Sequence, residues 1–74
     1  MAFEKPTNDQ LYNRYSYHAP KGNQGDRYEF VRKKCLQLAK DIVENTPCCA
    51  EQSRALNALD EVMFLANASI ARNE

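Results

Sequence analysis

Apolar positions in the second half of the chain advance by threes and fours. Tyr28, Val31, Cys35, Leu38 and Ile42 form one such series, and Leu56, Leu59, Met63, Ala66 and Ile70 form another. A 3.6-residue helix gathers positions with this spacing onto one stripe, so each series predicts an amphipathic helix. The first should run over about 26–45, with Asp26 as N-cap, Glu29 at the capping-box position, and Thr46-Pro47 as the stop. The second should run over about 49–73. Two long helices with matching stripes and a connection of a few residues make an antiparallel hairpin. Ahead of it, Thr7-Asn8-Asp9 offers N-cap residues for a short helix over about 8–16, whose apolar face is thin. Pro20, Gly22 and Gly25 then make residues 17–25 a loop, in which GNQGD reads as a turn with glycine at positive φ leading into Asp26. The expected fold class is all-α, a single domain over 1–74.

One shared seam cannot cover all the apolar side chains. The first long helix also carries Phe30, Leu36, Ala39 and Val43. The second carries Ala55, Ala58, Val62, Leu65 and Ala68 outside its stripe. A helix apolar on several faces is buried on several faces, and 74 residues bury too little surface alone to be more than marginally stable. The pattern predicts a homo-oligomer of packed hairpins with closed symmetry. The competing expectation is a monomer of three helices in which the first covers the second stripe.

Charge changes this picture only locally. The net charge is zero, yet residues 14–40 hold seven Lys or Arg against Asp26 and Glu29, whereas residues 41–74 hold six acids against Arg54 and Arg72. Sorting of this kind fits either a local anion site or solvated helix faces of opposite sign that pair with each other, and it lacks the positive excess of a nucleic-acid binder. Cys35, Cys48 and Cys49 include an adjacent pair and an odd count, which speaks for reduced, mostly structural thiols. One histidine and no C-x-x-C leave no zinc spacing, and no cofactor or metal is expected. No apolar run approaches the roughly 20 residues of a membrane span, and MAFEKPTNDQ has no signal-peptide core, so a soluble intracellular protein is expected.

Candidate chemistry concentrates in RYSYHAPKGNQGDRYE, residues 14–29. Tyr15, Tyr17 and Tyr28 supply faces on which a nucleobase can stack. Lys21, Arg27, Arg32, Lys33 and Lys34 supply cations for phosphate. Tyr28 on the seam, and Tyr12, read as core rings with surface hydroxyls, whereas Tyr17 lies in the break before Pro20, off any seam, and is the first candidate. Catalysis has little support. A Walker loop and a nucleophile elbow are missing, His18 has no carboxylate at helical spacing, and the neighbours Asp60 and Glu61 point in different directions.

In order and spacing these residues match a known pattern. Tyr15, Tyr17, His18 and Pro20 form an aromatic-x-Tyr-His-x-Pro motif, Arg27-Tyr28-Glu29 opens the long helix, and Ala66-Asn67-Ala68-x-Ile70-Ala71-Arg72-Asn73 closes the chain. Over residues 13–74 the sequence resembles the phage anti-CBASS sponges, which share their helical hairpin with one class of anti-Thoeris sponges. The resemblance implies a compact hexamer that traps cyclic oligonucleotide messengers without cleaving them, in the host cell cytoplasm. It implies pockets between protomers for cyclic dinucleotides, with Tyr17 and Lys34, or its neighbour Lys33, as ligand contacts. Arg72 becomes a phosphate contact from another subunit, while His18, Lys21 and Arg27 join the candidate binding set. Some members also hold cyclic trinucleotides where three protomers meet. Two departures stand out: Phe64-Leu65 replaces the usual tryptophan, and PCCAEQS makes an unusual tip. The rival classes are a helical interaction module that inhibits a host protein, a small nucleic-acid binder and, least supported, a cyclic-nucleotide hydrolase.

Overall fold

The computed structural model describes residues 5–74, so the first four residues of MAFEKPTNDQ lie outside it. Three helices follow in order: α1 (Asn8–Tyr15), α2 (Gln24–Asn45) and α3 (Ala50–Asn73), with no strand among the described residues.

Helix α1 begins on a complete capping box. The Thr7 hydroxyl accepts from the Gln10 amide at 3.1 Å, and the Gln10 side chain accepts from the Thr7 amide at 2.8 Å. Two of the amides that a helix N-terminus leaves without partners are thereby satisfied. Helix α2 starts earlier than its capping signal indicates. Gly22 takes φ +53, a left-handed turn that a side chain would oppose, and the chain enters the helix at Gln24 with Asn23 as N-cap. No side chain caps this end through Asn23; instead the Gln24 carboxamide accepts from the Lys21 amide at 2.9 Å. Asp26 thus lies inside the first turn, not at the cap, where its charge still meets the positive end of the helix dipole. Gly25 is helical, and the positive φ expected of the GNQGD turn falls on Gly22 alone.

At the far end of α2, Asn45 and Thr46 donate to the carbonyls of Asp41 and Ile42 at 2.7 and 2.6 Å, which closes the last turn. Thr46 is extended, as the residue before Pro47 must be. Gln52 then reaches back from α3 to the Thr46 carbonyl and hydroxyl at 3.2 and 3.1 Å. The opposite end is closed by Gln24 and Arg27, which donate to the Glu74 carboxylate. With each terminus of α2 fastened to the other terminus of α3, the pair is antiparallel.

All five stripe positions of α3 are half-buried, as are Tyr28, Val31, Cys35 and Ile42 on α2. Leu38 departs from the expected seam: it is 49% exposed, and Ala39, four residues after Cys35, shares the space beside α3 with Leu56. A small side chain there lets the helices approach while the larger one turns outward. Beyond the seam the apolar stripes stay open. Phe30, Leu36, Val43, Val62, Phe64 and Leu65 are all more than half exposed. Helix α1 does not cover them and has no buried residue, so the expected packing of α1 over the second stripe is not formed. Tyr12, expected to lie on the hairpin, is 77% exposed. Cys35 packs in the seam, but Cys48 and Cys49 are free and exposed in the turn, where packing gives them no structural role.

Candidate functional site

A groove of about 390 Å³ opens where the end of α1, the following loop and the facing ends of α2 and α3 meet. Polar bonds rather than apolar packing draw these segments together. The Asn13 side chain donates to the Arg72 carbonyl at 3.1 Å, and the Arg72 guanidinium donates to the Arg14 carbonyl at 3.2 Å. This exchange spans almost the whole chain and fixes the end of α1 on the last turn of α3. The loop is then folded back by His18, whose Nε2 lies 2.8 Å from the Asn13 carbonyl. A carbonyl only accepts, so Nε2 carries the hydrogen.

Helical spacing selects the remaining lining. Tyr28 and Arg32 are four apart on α2. Asn67 and Ala71, and Ala68 and Arg72, are four apart on α3, so each pair shares a face. Ala68 and Ala71 are small enough to leave room over that face. Arg14 enters from α1, and Tyr17, His18 and Pro20 enter from the loop. The groove therefore combines Arg14, Arg32 and Arg72 with the rings of Tyr17 and Tyr28, and no residue lining it carries a carboxylate. The Arg14 guanidinium lies over the Tyr15 ring, 5.7 Å from its centre, and that of Arg72 donates to the Arg14 carbonyl; the N–H donors left over on these arginines, with no carboxylate in the lining, suit phosphate. The Tyr17 ring is 86% exposed, with its faces open to a stacking partner.

Of the residues singled out in the sequence, Tyr17, His18, Tyr28, Arg32 and Arg72 line this groove. Arg27 does not, because its guanidinium is engaged by Glu74. Lys21, Lys33 and Lys34 are exposed outside it, and the Lys34 ammonium lies 5.4 Å from the centre of the Phe30 ring on its own helix. Arg14 and Asn67 were not anticipated as site residues, and Tyr28 was taken for core. A polar Asn67 among the alanines of ANASIA was the available signal for one of them; nothing local marks Arg14, whose place depends on Arg72. Among the described residues no cluster of three or more His, Cys, Asp and Glu could hold a metal ion, and no helix is long and apolar enough to cross a membrane.

The family described as Acb2/Tad1, hairpin domain, matches residues 7–71, which span all three helices to within the last turn of α3. No curated protein and no solved structure matches the chain.

Proposed function

Because this chain belongs to the Acb2/Tad1 hairpin-domain family, the anti-CBASS and anti-Thoeris sponges, we propose that it sequesters cyclic dinucleotide messengers, and cyclic trinucleotides as a second ligand, without cleaving them. The observation that carries this reading is the groove itself, lined by three arginines and two tyrosines and by no acidic residue. Stacking contributes roughly 1–3 kcal/mol per base, and hydrogen bonds to charged groups about 1.5–3 kcal/mol each. A sponge competes with a sensitive effector, which calls for nanomolar binding, about 12 kcal/mol. Association also costs about 4–15 kcal/mol in lost freedom, and against that cost the contacts of one open groove fall short. Lys34 does not line the groove that Tyr17 borders, which supports a pocket completed by another copy. The uncovered apolar stripes supply the surface for that association, and we assign the protein a homo-oligomeric, hexameric state in the cytoplasm of the infected host.

The test is to incubate the purified protein with a cyclic dinucleotide, measure the free ligand, then heat-denature the protein and recover the small molecule. Depletion before heating and intact recovery afterwards are expected. Linear product would make the protein a hydrolase, and absence of depletion would favour the interaction module, which uses the same apolar stripes without a nucleotide.

A further inference from the structure

We infer that His18 and Asn13 are positioning residues for Tyr17: they fix the loop in the place where that ring meets a nucleotide, and this rests on the sequestering reading above. Tyr17 lines the groove, yet it is 86% exposed, so burial does not hold its ring. The residues on either side of it are half-buried. Both bond to the end of α1: the Ser16 amide donates to the Tyr12 carbonyl at 3.0 Å, and His18 donates through Nε2 to the Asn13 carbonyl at 2.8 Å. Tyr17 is thus held between two fastened neighbours, and its direction is set by theirs.

The last carbonyls of a helix have no partner within it and take donors from outside. In α1 they are taken in turn: Tyr12 by the Ser16 amide, Asn13 by His18, and Arg14 by the Arg72 guanidinium at 3.2 Å. Helix α1 has eight residues and none of them is buried, so neither length nor packing keeps it in place. The Asn13 side chain does so, by donating to the Arg72 carbonyl at 3.1 Å, together with the bond that Arg72 returns. A path of polar bonds therefore runs from the last turn of α3 through Asn13 to His18 and ends one residue from Tyr17. Breaking a step frees the ring to sample other directions. The ligand must then order it again, and that entropy is subtracted from the affinity. The path asks of His18 only an N–H at the reach of Nε2, and the side-chain amide of a glutamine also carries one.

Calorimetry with cyclic di-AMP and cyclic GMP-AMP tests this. Asn13→Ala and His18→Ala should each weaken the tighter of the two ligands about threefold to tenfold, and His18→Gln should recover most of what His18→Ala loses. In a Tyr17→Ala background, His18→Ala should cost almost nothing more, because the ring it positions is gone. Hydrogen exchange without ligand gives a second readout: amides around Tyr17 should exchange faster in both alanine variants, while the seam between α2 and α3 keeps its protection. Equal losses for His18→Gln and His18→Ala, or the same loss from His18→Ala with and without the Tyr17 ring, would make the imidazole a ligand contact in its own right. Either result would overturn the inference and leave the sponge reading intact, as would unaltered affinity in both alanine variants. If neither ligand binds the unmodified protein, the sponge reading falls and the inference falls with it.

Discussion

Gln24 is the one side chain classed as buried among the described residues, at 6% exposed, and it is polar. Its carboxamide holds the Lys21 amide on one side and reaches the Glu74 carboxylate at 3.5 Å on the other, so it joins the turn before α2 to the end of α3. Gln24→Ala leaves the Lys21 amide without its partner and should destabilise the fold by about 1–3 kcal/mol, read as a lower melting midpoint by circular dichroism. Ligand contacts are expected to behave differently. Tyr17→Ala removes an exposed stacking face and Lys34→Ala an exposed cation, so each should weaken cyclic dinucleotide binding about tenfold or more and leave the helical spectrum unchanged. Unaltered affinity in both variants would withdraw the assignment of these two residues. At this scale the sequence was a partial guide. Tyr17, His18 and Arg72 could be picked out because they stand in a recognisable motif. Arg27 could not be separated from them, since the carboxylate that occupies it lies 47 residues away.

The helices themselves were legible because spacing by threes and fours is a local property, and the stops at Pro20 and Pro47 act on their immediate neighbours. The start of α2 was not, for there a side chain inside the helix caps the loop and outcompetes the Asp26 signal. The same region sets two glycines in opposite roles. Neither would meet an atom within 4 Å if given a Cβ, so only backbone preference decides the outcome. Gly22→Ala must adopt φ +53 and should cost about 1–2 kcal/mol. Gly25→Ala sits in the first turn of α2 and should stabilise by up to about 1 kcal/mol. Thermal melts of the two variants should therefore shift in opposite directions; a shift of the same sign would mean that the turn before α2 is not left-handed in solution.

The fold is more open than that of a compact domain of equal size. Its accessible surface is 6376 Å², whereas a compact monomer of its mass would expose about 4,700 Å². Its radius of gyration is 15.8 Å, against about 11 Å for a compact chain of equal length. No hydrophobic residue among those described is buried. The surplus of apolar stripes was readable from sequence, but what meets them was not, because the periodicity of one helix does not name an opposing surface. Leu65, 63% exposed on α3, tests the association. Leu65→Asp should lower the mass seen by light scattering and make the melting midpoint fall, whereas in the unmodified protein that midpoint should rise with protein concentration. A monodisperse single chain with a concentration-independent midpoint would exclude the assembly.

The exchange between Asn13 and Arg72 has a mechanical meaning. It makes a clasp of the first and last helices, so a force applied across Thr7 and Glu74 would load a few polar bonds before it reached the long seam between α2 and α3. Stretched in this way, the molecule should release its shortest helix first, and the loop bearing Tyr17 with it, while the two long helices stay zipped.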